Sequence, residues 1–182
     1  MKVLLTLLAF CLATFGCGAF IPTPPRPAPA NDYCAVPNFD GVKIDGVLVL
    51  RFAQPGYGHL ACMRDMYGLT DVFKLNPTIE GREPVVPGIT THYHPASPLT
   101  ATTAWADAVL NDMLTTCAKP GHVCGIHCTH GQDRTGLVMM LWIWLHVYHD
   151  DFTTRAIYDD AVEHGFHPYK ALFNIYVKRV GW

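Results

Sequence analysis

The stretch HCTHGQDRTG, His127 to Gly136, decides the fold of this chain. An apolar run, Val123 to Ile126, precedes it, and a longer one, Leu137 to Val147, follows. The pattern predicts a strand that ends in a tight loop and turns directly into a helix. In that geometry the loop's backbone N–H groups and the helix N-terminus point at one spot, which suits a phosphate. The same positive field favours the ionised form of a thiol, so Cys128 is expected to be a thiolate at neutral pH. Arg134 can grip two phosphate oxygens in a bidentate fork. A nucleophile, an anion cradle and a clamp together specify phosphoryl transfer. A cysteine that merely fills the core would leave Arg134, Thr135, Gly131 and Gly136 around it without a reason.

The rest of the chain is read outward from that motif. From Gly46 onward strands and helices alternate. Gly46–Phe52 is a short apolar strand. His59–Tyr67 carries Leu60, Met63 and Tyr67 at helical spacing, and Gly68 ends it. Asp71–Leu75 is a second strand, 76–88 a turn-rich loop, and Ile89–His94 a third strand. Thr100–Cys117 reads as a helix with Trp105, Val109 and Met113 on one face. His122–His127 is the strand that delivers Cys128. Three helices follow, Arg134–His149, Thr153–His164 and Pro168–Arg179. Alternation without tight hairpins predicts an α/β domain, a mainly parallel sheet of four to five strands covered by helices on both faces. Ligands of such sheets sit at the carboxyl ends of the strands. There the 128–134 loop, Lys74 to Asn76, and His94 to Ser97 should converge.

Length and composition bound the class. The 182 residues suffice for one domain with a sizeable core. Residues 1–19 fit a cleaved signal peptide, with Lys2 as its only charge and an apolar run from Val3 to Phe15. Gly16-Cys17 resembles a bacterial lipoprotein cleavage site, which makes Cys17 a candidate lipid anchor; simple cleavage after Ala19 is the competing reading. Residues 20–36 form a Pro-rich linker, either a semi-rigid spacer or an ordinary disordered mature N-terminus, and 37–182 the folded domain. A formal net charge of −2 argues against a nucleic-acid-binding surface.

Seven cysteines are many for this length. With Cys11 and Cys17 in the signal and Cys128 kept as a thiolate, four remain: Cys34, Cys62, Cys117 and Cys124. They allow three pairings in an oxidising compartment. Cys117 and Cys124 bracket a KPGH turn and could bridge, although a buried strand position is the slightly favoured reading for Cys124.

The motif resembles the HC-x5-R-[ST] signature of the cysteine-dependent protein tyrosine phosphatase superfamily. RFAQP, Arg51 to Pro55, and GFHP, Gly165 to Pro168, resemble stretches of small bacterial dual-specificity-type phosphatases. The likeness runs from Gly41 to the end and implies a dual-specificity phosphatase-like fold acting as a monomer. It also implies roles. Cys128 would attack phosphorus to give a phosphocysteine, while Arg134 and the backbone of Thr129, His130, Gly131, Gln132 and Asp133 hold the oxygens. Thr135 would help the sulfur leave when water hydrolyses the intermediate, and His127 would orient the loop. No metal or other cofactor is required, because amides and Arg134 meet the developing charge.

One departure matters. The family places an aspartate general acid after the third strand, but here that loop reads HYHPASPLT, without a carboxylate. Asp133 is one candidate for the acid, as in myotubularin-like phosphatases, and its alternative is a brace for the loop. Asp107 is a second candidate, but it falls on the polar flank of its helix. His92 and His94 make a pair on one side of a strand, as zinc sites do, with no third ligand at a persuasive spacing. They are expected to pack and hydrogen-bond near the site. His130 would shape the rim, and Lys74 would either reach a substrate phosphate or stay solvated. The implied partner is a phosphorylated substrate, a phosphoprotein or an inositol polyphosphate. The tetrapeptide CTHG also resembles RNA 5′-triphosphatases, which suits an exported, mildly acidic protein poorly. A catalytically silent phosphate-binding module is the remaining alternative.

Overall fold

The computed structural model describes residues 34–147, 150–167 and 169–182, so the expected signal, most of the linker and the lipoprotein site at Cys17 lie outside the described residues. Its strands are β1 (Asp40–Ile44), β2 (Val47–Phe52), β3 (Asp71–Lys74), β4 (Thr90–Tyr93) and β5 (Cys124–His127). Its helices are α1 (Tyr57–Tyr67), α2 (Thr103–Cys117), α3 (Asp133–His146), α4 (Asp151–Glu163) and α5 (Lys170–Val180). The strands form one sheet in the order β1-β2-β5-β3-β4. β5 is central and parallel to both β2 and β3, and β4 is parallel to β3. The expected α/β class and five-stranded, mainly parallel sheet are therefore present.

β1 corrects the expectation of no tight hairpins, because it pairs antiparallel with β2 across Asp45 and Gly46. Both turn residues have positive φ, 51° and 84°, which a two-residue turn between right-twisted strands demands. Asp-Gly is the sequence signal for such a turn. The sequence before it, DGVKI, is too short and too mixed to stand out as a strand.

The period of two in the strands sorts the core into two layers. Val49, Phe73, Cys124 and Ile126 face α2 and α3, with Leu172 and Tyr176 of α5 behind them. Leu50, Phe52 and Val72 face α1, against Leu60 and Met63. α3 is buried without a break from Arg134 to Trp142, as an apolar-all-round helix must be. It packs against the sheet and against α2, α4 and α5. That burial fixes the direction in which its N-terminus points.

Both bridges among the four candidate cysteines are formed, Cys34–Cys62 and Cys117–Cys124. Cys124 is thus both a buried strand residue and bridged. Cys34 and Val36, at the end of the expected linker, are buried in the layer around α1. Among the described residues Cys128 is the free cysteine.

The Cys34–Cys62 bridge spans 28 residues and shortens the unfolded chain more than the Cys117–Cys124 bridge, which spans 7. Replacing Cys34 and Cys62 together by alanine should cost about 2–4 kcal/mol in urea unfolding. The Cys117/Cys124 double variant should cost less.

Candidate active site

Cys128 stands one residue beyond β5, and α3 begins five residues later. The loop between them is held by donors outside it, one carbonyl after another. Thr129 O accepts the Gln54 N–H at 3.1 Å. His130 O accepts Asn38 Nδ2 at 2.7 Å, and Gly131 O accepts Arg51 Nη2 at 2.7 Å. In a trans peptide the carbonyl and the following N–H point in opposite directions. Each outside donor therefore turns the next N–H, those of His130, Gly131 and Gln132, away from the protein and toward the hollow of the loop. None of the N–H groups of residues 129–132 donates to a described protein group. Converging donors at a helix N-terminus are an anion site.

Close packing leaves this loop one shape. Gly131 has φ 71°, and a Cβ there would stand 2.6–2.7 Å from the backbone of Phe52 and Ala53. No side chain fits. Gln132 lies against Gly165, where a Cβ would come within 2.6 Å of Gln132 Nε2. Asp133 Oδ1 accepts the His167 N–H at 2.9 Å, which ties the start of α3 to the α4–α5 connection. The stretch 165–167 thereby buttresses the loop.

The clamp is pre-set. Arg134 is buried, and its Nη1 donates to Ala96 O at 2.7 Å. Its Nη2 donates to Glu80 Oε2 at 2.7 Å and to Thr129 Oγ1 at 3.2 Å. Thr129 Oγ1 in turn donates to Glu80 at 2.5 Å. Partial burial works against ionisation of Glu80, but the Arg134 and Thr129 bonds outweigh it and hold its carboxyl below the ordinary value. Of the five guanidinium hydrogens, that on Nε is buried without a partner and one on Nη1 is also left for an oxyanion. The Thr135 hydroxyl is likewise buried and unpartnered, one residue beyond the clamp.

On the α1 face, side by side in the β3–β5 ladder, stand Lys74 and His127. Lys74 is neither solvated nor free to reach substrate. It is buried, with Nζ donating to Gln54 Oε1 at 2.9 Å and 3.9 Å from Glu83 Oε2, an ion pair. Burial pulls its ammonium below the ordinary lysine value, with the Glu83 carboxylate the largest counterweight. His127 Nε2 lies 2.9 Å from Glu83 Oε2, off the line of a good hydrogen bond, and Nδ1 is 3.4 Å from Cys128 O. Its ring stacks on Phe52.

His94 points elsewhere. Its Nε2 shares Asp112 Oδ2 with His92 Nδ1, at 2.8 and 2.9 Å. His92 Nε2 reaches Asp71, which also holds His122. This network joins β4 to α2 and β3, the packing role expected for His92 and His94. Among the described residues no group of three or more His, Cys, Asp or Glu is arranged to hold a metal. Asp107 pairs with Arg179 of α5, on the flank where the helical pattern put it. The exposed His130 side chain leaves only its carbonyl engaged.

Sequence reasoning missed Arg51, Gln54, Glu80 and Glu83 as parts of the site. A signal existed for the two glutamates: they lie in the loop after β3, at the same sheet end as Cys128.

No protein-family profile and no curated protein matches the chain. Solved structures do. PTPMT1, solved in complex with PI(5)P, superposes with a TM-score of 0.59 at 17% identity, covering 78% of this chain and 96% of that one. Human DUSP28 gives 0.60 at 14% identity, covering 73% and 91%. TpbA of P. aeruginosa, a cysteine-to-serine variant with phosphotyrosine bound, gives 0.54 at 16%, covering 70% and 75%. The chain shares the fold of these phosphatase structures. The five-stranded sheet with helices on both faces matches the fold of human DUSP28.

Behind the loop, Asp40 Oδ2 pairs with His164 Nε2 at 2.7 Å. This bond is the main cause that raises the His164 pKa above its ordinary 6.5, against the opposing pull of burial. A folded-state pKa raised in this way contributes stability that is complete below about pH 6.5 and lost as pH rises through the raised value. The stability gap between wild type and Asp40→Asn should therefore be larger at about pH 5.5 than at about pH 9. Urea unfolding at both pH values, with NMR titration of His164, measures it.

Proposed function

We propose that this protein is a cysteine-dependent phosphatase that hydrolyses phosphomonoesters through a phosphocysteine. The observation that carries the reading is the hollow of inward N–H groups between a free, buried Cys128 and the pre-set fork of Arg134. The Cys128 thiolate attacks phosphorus and the bond to the leaving oxygen breaks, that oxygen taking a proton. Water then attacks phosphorus, the P–S bond breaks, and phosphate departs while the Thr135 hydroxyl donates to the leaving thiolate. Asp133 supplies the first proton and takes one from water in the second step. Its Oδ1 accepts the His167 N–H, which leaves Oδ2 to carry the proton.

We assign phosphotyrosine-type or dual-specificity substrates first, a reading supported by the fold shared with human DUSP28 and TpbA. Inositol polyphosphate is the second reading, favoured by the loop at Pro95–Leu99, which has no carboxylate. A polyphosphorylated substrate can donate a proton from its own neighbouring phosphate. The intact Cys128, Arg134 and Thr135 set disfavours a silent binding module. Export from a bacterial cell, by secretion or by a lipid anchor at Cys17, is the location we propose. It is supported by the apolar N-terminus and the two disulfides, which belong in an oxidising compartment.

Phosphate release from an aryl phosphate, a phosphoserine peptide, a phosphotyrosine peptide and inositol hexakisphosphate tests these points together. Cys128→Ser should abolish turnover on all of them and still bind tungstate, since a serine hydroxyl keeps the cradle but does not ionise. Asp133→Asn should cost about 10²–10⁴-fold on alkyl phosphates, whose leaving oxygen needs a proton, and far less on the aryl phosphate. Equal losses on both classes would make Asp133 a brace only.

A further inference from the structure

The loop's three outside donors are not alike. Gln54 N–H and Asn38 Nδ2 are neutral, whereas the donor on Gly131 is a guanidinium. Arg51 is 4% exposed, and its one described hydrogen bond is that from Nη2 to Gly131 O. Its Nε is buried without a partner. No described carboxylate lies within ion-pair distance of it. The nearest in electrostatic reach are Asp160 and Asp40, and both are engaged with His164, at 3.6 and 2.7 Å. Burial lowers the Arg51 pKa from its ordinary value, opposed by Asp160, Asp40 and Cys128. A guanidinium nonetheless stays protonated in a protein. A buried cation without a contacting counter-charge is costly, and its field extends into the loop that Cys128 opens.

We propose that Arg51 is a positioning residue for the phosphoryl-transfer site: it turns the Gln132 N–H inward through Gly131 and supplies, from behind the loop, a fixed positive charge whose counter-ion is the Cys128 thiolate and the substrate's phosphate dianion. The inference rests on the phosphatase reading above. Arg134 meets the phosphate from the front and is already neutralised in part by Glu80. Arg51 has no such partner, so its charge remains available. β2 delivers it by strand alternation. Val49 and Arg51 share the face toward α3, and Arg51 stands beside Ile126 of β5, two residues before Cys128.

The test reads charge separately from shape. Alkylation of Cys128 is followed with iodoacetate, an anion, and with iodoacetamide, its neutral counterpart, alongside tungstate binding by calorimetry. Wild type should prefer iodoacetate and be protected by tungstate. Arg51→Met removes the charge, Arg51→Gln removes it but keeps a donor for Gly131, and Arg51→Lys keeps it. A unit charge acting over roughly 12 Å through an effective dielectric of about 20 changes an anion's affinity by about tenfold. The iodoacetate-to-iodoacetamide ratio and the tungstate affinity should thus fall about tenfold in Arg51→Gln and Arg51→Met, and be largely restored in Arg51→Lys. Should Arg51→Met not fold, Arg51→Gln against Arg51→Lys carries the comparison. An unchanged ratio in the neutral variants, with both alkylation rates falling together, overturns the proposal and leaves Arg51 a brace. A wild type with neither iodoacetate preference nor tungstate protection would instead bring down the phosphatase reading itself.

Discussion

Three peptide planes decide what this site can do. The five-residue loop 128–132 has three carbonyls drawn outward by Gln54, Asn38 and Arg51, and the following N–H groups point the other way because a trans peptide allows nothing else. Each donor depends on a different part of the fold. Gln54 follows β2, whose register with β5 runs from Val49–Cys124 to Phe52–His127. Asn38 belongs to the segment that Cys34 ties to α1 through Cys62 and that Pro37 O joins to Ala53. The bridge is therefore coupled to the anion site through a chain of named contacts, although its cysteines pack in the layer around α1.

The two faces of the sheet bring different charges to the loop. On the α1 face Lys74 and His127 are balanced by Glu83, with Gln54 and Asn76 completing the hydrogen bonds. On the α3 face Arg51 lacks a carboxylate in contact. A balanced buried cluster holds geometry and contributes little net field. An unbalanced cation contributes field and depends on its surroundings to bear the cost. The period of two in β2 and β5 is what keeps these two environments apart while both border the same loop.

Much of the sheet and of the chemistry could be read from sequence because both are local there. A strand, a Gly-containing loop and an apolar helix in continuous chain declare Cys128 and Arg134, and periodicity alone places Trp105, Val109 and Met113. What escaped is non-local. Arg51 lies 80 residues from Gly131 and reads as a polar interruption in an apolar strand. Glu80 lies 54 residues from Arg134, in a stretch whose turn residues announce only a loop. The hairpin at Asp45-Gly46 carried a local signal, and it was outweighed by the brevity of β1. His94 follows the end of β4, but the direction of its side chain depends on Asp112 across the α2 interface.

The segment after β4 shows why a missing carboxylate need not mean a damaged site. His94 N–H donates to Lys74 O, Ala96 N–H to Leu75 O, and Trp105 Nε1 to His94 O. Ala96 O then receives Arg134 Nη1. A backbone fixed at those points presents a carbonyl to Arg134, and that carbonyl holds one edge of the guanidinium while Nε is left buried without a partner. An acid carried on the same segment would have to approach the leaving oxygen from a backbone already committed to holding Arg134. In the proposed mechanism the two tasks are separate: the 94–97 segment orients Arg134, and Asp133, the first residue of α3 and tied to His167, moves with that helix.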